Sequence, residues 1–170
     1  PVERFVAATN ANDVVPQYLA SGEYTPRASV KTVANAMDVG APSNFERMRA
    51  MYGDRFEALR ADIVGAAFDD ATVVAEIGVV HRRYGYLLDP HAAIAWLGLQ
   101  RTLATYDSKG PGVFLATAHP AKFREVVEPA IGAAIALPPV LAEAIVRPRH
   151  SERLPVDYAA LKDLLLRQSR

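Results

Sequence analysis

The stretch TAHPAKF, residues 117–123, decides the fold that the sequence predicts. It follows the apolar run 112–117, which is typical of a buried strand, and it opens a segment in which apolar residues recur with helical spacing. Such junctions are where open α/β sheets bind their ligands. The polar side chains within this stretch are therefore candidate site residues.

A second junction of the same kind lies near the N-terminus. Residues 3–9 are short and apolar, and the polar run 10–13 that follows is typical of a cap for a helix starting near residue 12. The side chains of Asn10, Asn12 and Asp13 are able either to reach a ligand or to cap that helix, and capping is the favoured interpretation for Asp13.

The other segments alternate in the same way. Residues 22–42 predict an irregular connection with one helical turn around 30–36, and Ser43 to Glu46 has the capping-box pattern of a helix that starts at Ser43. Further signals predict a strand over 63–68 and helices over 69–85, 89–99, 123–132, 138–145 and 156–167. Strands alternating with helices predict an α/β architecture with parallel strands, in which helix dominates.

Composition narrows the functional class. With 170 residues, 51% of them hydrophobic, the chain is long enough for one ordinary domain with a substantial core. Nineteen basic and nineteen acidic residues balance, so the sequence shows no electrostatic footprint for nucleic acid or an anionic membrane. The absence of cysteine excludes disulfides and fits a cytoplasmic protein. The four histidines lack metal-ligand spacing, so no metal site is predicted.

Four segments in order along the chain resemble a known family. They are 8–13 (ATNAND), 35–44 (NAMDVGAPSN), 89–92 (DPHA) and 117–123 (TAHPAKF). Together they resemble threonine synthase of the longer bacterial and fungal type, a pyridoxal-phosphate enzyme that converts O-phosphohomoserine and water to threonine and phosphate. The resemblance covers the whole chain.

The resemblance also implies that part of the enzyme lies outside this chain. In this family the Schiff-base lysine and the glycine-rich loop that holds the cofactor phosphate precede the segment that begins here at Ala8. Residues 1–170 therefore resemble the C-terminal part of the cofactor-binding large domain of a fold-type-II pyridoxal-phosphate enzyme. The expected fold is part of a doubly wound, mainly parallel sheet, helix-rich and incomplete. No catalytic lysine is expected, so the isolated chain should be inactive and should bind no cofactor.

Particular residues take roles from the same resemblance. The Thr117 hydroxyl is expected to contact the pyridine nitrogen of the cofactor, and His119 is expected to face the cofactor. The alternatives to these cofactor contacts are that the Thr117 hydroxyl bonds the backbone at a strand end and that His119 only precedes Pro120 at the start of the helix. Asn35, Asp38 and Asn44 are expected to line the substrate entrance.

Other residues have side chains that suit contact with a ligand. Arg27 and Arg47 have the bidentate chemistry that suits a substrate phosphate, although the chain has many other arginines. Asp89 is expected to cap a helix, and His91 to reach either a ligand or a buried carbonyl group.

Two rival functions remain at this stage. One is a fragment of another enzyme of the same fold, such as a threonine dehydratase, and the other is a noncatalytic α/β interaction module. The expected partners are the small-molecule substrate O-phosphohomoserine in the parent enzyme and another copy of the chain, which would cover an exposed sheet edge beside residues 3–9 or 113–117. No nucleic acid or membrane is expected as a partner.

Overall fold

The computed structural model describes residues 2–106 and 110–168, so Lys109 lies outside the described residues. The chain forms two compact units, residues 1–136 and 137–170. The first unit contains β1 (Phe5–Thr9), α1 (Val14–Ser21), a 3-10 turn (Asn35–Met37), α2 (Phe45–Tyr52), α3 (Phe56–Asp62), β2 (Ile63–Ala67), α4 (Asp70–Tyr84), α5 (Pro90–Thr105), a second 3-10 turn (Pro120–Phe123) and α6 (Arg124–Ile131). The second unit contains α7 (Pro139–Val146) and α8 (Tyr158–Gln168).

The two strands form a parallel pair, in register from Phe5 opposite Ile63 to Thr9 opposite Ala67. The predicted strands over 3–9 and 63–68 are thereby confirmed. Because side chains alternate between the two faces of a strand, α1 and α5 cover opposite faces. A Cβ on Gly65 of β2 would lie 2.7 Å from the Cα of Pro16 in α1. A Cβ on Gly98 of α5 would lie 2.7 Å from the Cβ of Ala8 in β1.

The core of the first unit lies where the helices meet the sheet and one another. Helix α4 packs against both α5 and α6. The fully buried side chains at these contacts follow the helical spacing read from the sequence: Val73, Ile77, Ile94 and Val127. The predicted amphipathic helices are therefore confirmed, and their apolar faces form this core.

The helix ends follow the local chemistry of the sequence. The Asp69 carboxylate accepts the Thr72 amide at 2.8 Å and starts α4, and the Asp89 carboxylate accepts the His91 amide at 2.9 Å and starts α5. Gly85 and Gly132 end α4 and α6 in the left-handed conformation, at φ 65° and 70°. These predicted starts and stops are confirmed.

The capping-box prediction at Ser43 is wrong. Helix α2 begins at Phe45, and Asn44 before it already has helical dihedrals, φ −71° and ψ −11°, with no side-chain cap. A capping residue needs extended dihedrals for its oxygen to reach the free amides. The turn through residues 43 and 44 removes that geometry, and it leaves both side chains exposed.

The prediction of a buried strand over 112–117 is also wrong. The segment forms no strand within the described part of the chain, and Val113 and Leu115 are 78% and 74% exposed. It lies along α5, where the Phe114 ring meets the Trp96 ring at 5.5 Å. One side of the segment is thus covered by a helix, whereas no described strand runs beside it to pair with its backbone. The segment is an apolar run, as a buried strand requires, but a strand also needs a partner.

Within the described ranges, no helix has the length and apolar character needed to cross a membrane.

Candidate active-site edge

The carboxyl ends of β1 and β2 lie at one edge of the sheet, because parallel strands end together. The connection 22–42 is tied to this edge by side chains. We define the edge cluster as Asn10, Asn12, Thr32 and Asp38. Its two asparagines follow β1 directly and are 1% and 4% exposed.

Asn10 is the centre of the edge cluster. Its amide nitrogen donates to Thr32 Oγ1 at 2.8 Å, to Asp38 Oδ1 at 2.9 Å and to the Ala34 carbonyl at 3.2 Å. Its Oδ1 accepts the backbone amide and the side-chain amide of Asn12, at 2.9 and 3.0 Å. Both polar ends of a buried side chain are therefore satisfied, as burial requires.

Asn12 and Asp38 complete the cluster. Asn12 pairs with both backbone groups of Val30: Oδ1 accepts the amide at 2.7 Å and Nδ2 donates to the carbonyl at 2.8 Å. Asp38 closes the connection on itself by accepting the Thr32 amide at 3.0 Å and the Thr32 hydroxyl at 2.8 Å. The connection has no regular structure over 22–34, so these side chains replace the backbone pairing that would otherwise fix it.

Neither sequence interpretation of Asn10 and Asn12 describes this arrangement. Their side chains hold the 22–42 connection instead of meeting a ligand or capping α1. Asp13 occupies the N-cap position of α1 but forms no side-chain cap bond. Its carboxylate instead pairs with the Arg27 guanidinium, which also donates to the Ala11 carbonyl at 2.9 Å. Arg27 is thus engaged within the fold, whereas Arg47 is exposed.

The start of α4 also holds the 22–42 connection by a hydrogen bond. Asp70 Oδ1 accepts the Val33 amide at 3.2 Å. Its neighbour Asp69 caps the helix, and the Thr72 backbone amide, followed by the Thr72 side chain, holds the pKa of Asp69 below its ordinary value. The two adjacent carboxylates therefore have different roles, since Asp69 caps α4 and Asp70 binds the Val33 amide. The sequence alone did not distinguish these roles.

The start of α5 holds the 22–42 connection in the same way, through His91. His91 is 7% exposed; its Nδ1 lies 2.8 Å from Asp89 Oδ1, and its Nε2 accepts the Ala36 amide at 3.1 Å. Since Nε2 accepts a hydrogen bond, the ring proton must lie on Nδ1 and point at the carboxylate. His91 thus accepts a backbone amide and faces a carboxylate, and it does not bond the buried carbonyl group that the sequence allowed.

The same imidazole brings the stretch 117–123 to this edge. The ring of Phe123 lies 4.9 Å from the ring of His91. His119 is exposed and caps the second 3-10 turn, its Nδ1 accepting the Ala121 amide at 3.1 Å. Thr117 is also exposed, and its hydroxyl forms no hydrogen bond with the residues that the structure describes.

The predicted substrate residues occupy different positions. Asn35 is exposed in the first 3-10 turn, one residue before the amide that His91 holds. Asp38 is half-buried in the edge cluster, where Asn10, Asn12 and Thr32 already occupy its carboxylate. Asn44 is exposed at the start of α2, and its side chain forms no hydrogen bond to the edge cluster among the described residues. The structure therefore brings Asn35 and Asp38 together and leaves Asn44 apart.

Two buried oxygens at this end of the sheet have no donor within the described ranges. They are Thr9 Oγ1, at the end of β1, and Asp89 Oδ2. The Asp89 carboxylate is therefore anchored through Oδ1 alone. The described residues also contain no group of side chains with the arrangement of a metal site.

The similarity to known proteins is with threonine synthases. A family model for the C-terminal part of threonine synthase matches residues 92–165. The threonine synthase of Escherichia coli K12 is 41% identical over 166 residues, which are 98% of this chain. The chain belongs to the threonine synthase family. It spans about 38% of the length of that relative.

Solved structures of threonine synthases share the fold. The crystal structure of the Escherichia coli enzyme matches 99% of the chain with a TM-score of 0.82 and 40% identity. The PLP-bound threonine synthase from Brucella melitensis matches the whole chain with a TM-score of 0.84 and 29% identity. The chain covers 38% and 41% of those two proteins. The resemblance inferred from four short segments, and the incomplete α/β fold that it implied, are confirmed.

Proposed function

We propose that this chain forms one wall of the active site of a threonine synthase that converts O-phosphohomoserine and water to threonine and phosphate. The observation that carries the proposal is the similarity along almost the whole chain, 98% of it at 41% identity to one threonine synthase. The structure adds that several junctions of the fold converge at the carboxyl edge of the sheet, where α/β enzymes bind their ligands. The relatives and the family model favour threonine synthase over a dehydratase or a noncatalytic module.

We propose further that the complete protein uses pyridoxal phosphate, as the Brucella relative binds it. When bound, this cofactor supplies an electron sink for proton removal from carbon. Thr117 suits a contact to the pyridine nitrogen, because its hydroxyl is exposed and unengaged by described residues. His119 has its Nδ1 committed to a backbone amide, which leaves Nε2 to meet the cofactor.

The substrate wall follows from the placement of the 22–42 connection. Asn35 is exposed at its tip and is a candidate for direct substrate contact, while Asn44 would contact substrate only at the outer rim. Asp38 has its carboxylate filled by internal donors, so we assign it a supporting part in the same wall. The cytoplasmic location stays a proposal that rests on the absence of cysteine.

We also propose that the isolated chain self-associates through the exposed apolar surface around 112–117. Val113 and Leu115 are 78% and 74% exposed there, and Phe5 at the start of β1 is 56% exposed. Such surface tends to be covered by another molecule. Sedimentation should show association that grows with concentration, and a compact monomer at every concentration would contradict it.

The test of the function compares the 170-residue chain with the protein encoded by the complete reading frame that contains it. The longer protein should release phosphate from O-phosphohomoserine and show a cofactor absorbance band. The chain alone should do neither, because no lysine in it occupies the family's Schiff-base position. A cofactor band that borohydride fixes onto a lysine of the chain would contradict the second expectation. A longer protein that binds the cofactor but turns over only threonine would establish the dehydratase instead.

A further inference from the structure

Two irregular segments of the proposed active-site wall meet at one side chain. The amide of Ala36, in the first 3-10 turn, lies 3.1 Å from His91 Nε2, and the Phe123 ring, in the second, lies 4.9 Å from the same imidazole. His91 is held from behind by Asp89, whose carboxylate is 1% exposed. We propose that His91, oriented by Asp89, is a positioning residue that fixes the Asn35–Met37 turn in its place, and that protonation of the imidazole releases this turn.

The geometry requires three properties of the side chain at once. It must accept from the Ala36 amide, donate to the Asp89 carboxylate, and present a flat apolar face to Phe123. A neutral imidazole with its proton on Nδ1 has all three. Asp89 selects this tautomer because its Oδ1 faces Nδ1 and accepts the proton there.

Protonation removes one of these properties. The imidazolium carries a proton on both nitrogens, so Nε2 would become a donor pointing at the Ala36 amide, which is itself a donor. The Asp89 contact survives and becomes an ion pair. The bond to Ala36 therefore breaks, and the Asn35–Met37 turn loses the tie that comes from α5.

The charged groups around His91 come from each neighbouring element. Asp89 lies on its own helix start and touches the ring. From the 22–42 connection comes Asp38, whose carboxylate is bonded to the edge cluster, and from α4 comes Asp70, which is bonded to the Val33 amide. From the second 3-10 turn come His119 and Lys122, both exposed.

The first test needs no variant. Nitrogen-15 shifts of the imidazole of His91, measured on the 170-residue chain at about pH 7.5, should show a protonated Nδ1 and an unprotonated Nε2. Protection of the Ala36 amide against hydrogen exchange, corrected for the intrinsic rate, should fall at least about tenfold when the pH is lowered from about 7.5 to about 5. A proton on Nε2, or equal protection at both pH values, would overturn the proposal.

The second test replaces the titrating group. His91→Gln offers an oxygen at the position of Nε2 but does not titrate, so the pH dependence of Ala36 protection should disappear. His119→Gln is the matched control, since His119 also accepts a backbone amide at 3.1 Å yet is exposed and does not touch the turn. Its pH profile should equal that of the parent. A profile in His91→Gln that still follows the parent's would assign the pH dependence to another group and refute the role of His91.

The proposal rests on the proposed function only in placing this turn in the active-site wall. The exchange and nitrogen measurements use the chain without cofactor or substrate. Their failure would leave the threonine synthase assignment untouched, and failure of that assignment would leave the tautomer and the tie intact.

Discussion

Replacing Asn10 by leucine should cost the first unit about 2–6 kcal/mol of unfolding free energy. Leucine has nearly the same shape, so no large cavity forms and the loss is one of hydrogen bonding. The magnitude depends on which partners keep another bond. Thr32 Oγ1 still accepts the Ala34 amide, and the Ala34 carbonyl still accepts the Met37 amide.

The group left without a partner is the Asn12 backbone amide, which donates to Asn10 Oδ1 in the parent chain. An orphaned buried amide costs about 1–3 kcal/mol, and each of the two N–H donors lost with the Asn10 side chain adds about 0.5–1.5 kcal/mol. The Asp38 carboxylate would face an apolar side chain in place of the amide that donates to it in the parent chain. These contributions set the expected range.

Urea unfolding followed by the fluorescence of Trp96 reports on the first unit, because this is the single tryptophan in the chain. Asn44→Leu is the matched control: Asn44 is exposed and its side chain forms no cap bond, so its cost should stay within about 0.5 kcal/mol. Equal midpoints and slopes for the two variants would refute the view that the edge cluster fixes the 22–42 connection.

Three further substitutions test other parts of the structure. Gly98→Ala gains about 1 kcal/mol of helix propensity but loses about 1–3 kcal/mol to overpacking against Ala8, so it should lower the stability of the chain. In a double-mutant cycle, Ala8→Gly should recover at least about 1 kcal/mol of that loss. Additive effects of the two substitutions would contradict the close approach of α5 to β1. The Ile135 amide, followed by the Arg124 side chain, lowers the pKa of Glu128, so its contribution to stability is complete above its ordinary value of 4.5 and lost as the pH falls below it. Glu128→Gln should therefore flatten the acid loss of the urea midpoint, while Glu125→Gln, on the same helix and exposed, should keep the parental slope. In the complete enzyme Thr117→Val should lower turnover and alter the cofactor spectrum while shifting the urea midpoint little, and parental turnover with an unchanged spectrum would make Thr117 a structural residue.

The sequence predicts local structure well where one residue's chemistry suffices. Asp89 before a proline and Gly132 after an apolar helix are complete signals in themselves, because a cap and a left-handed end depend on the few residues around them. The segment 112–117 shows the opposite case. Its apolar run is typical of a strand, but pairing depends on a neighbouring strand that no local pattern reveals.

The edge cluster could be predicted only in part. Two asparagines separated by one residue after a strand indicated that polar side chains act at that point. Their partners could not be predicted, because they lie 18 to 28 residues away in an irregular connection. Asp70 gave no separate signal, because a helix start already accounted for an acidic pair. The assignment of Thr117, His119, Asn35, Asp38 and Asn44 to cofactor and substrate stays a prediction.

The parallel pairing of β1 with β2 has a consequence for the order in which the chain is made. The Arg4 side chain donates to the Ala61 carbonyl, a contact that spans 57 residues. At roughly 5–20 residues per second, a ribosome needs on the order of 3–11 s to add those residues. For that interval β1 has been synthesised without its neighbouring strand, and the apolar run from Phe5 to Ala8 has neither β2 nor α5 to cover it. The interval between the synthesis of β1 and that of β2 is thus a period in which β1 is open to chaperones and to pairing with the wrong strand.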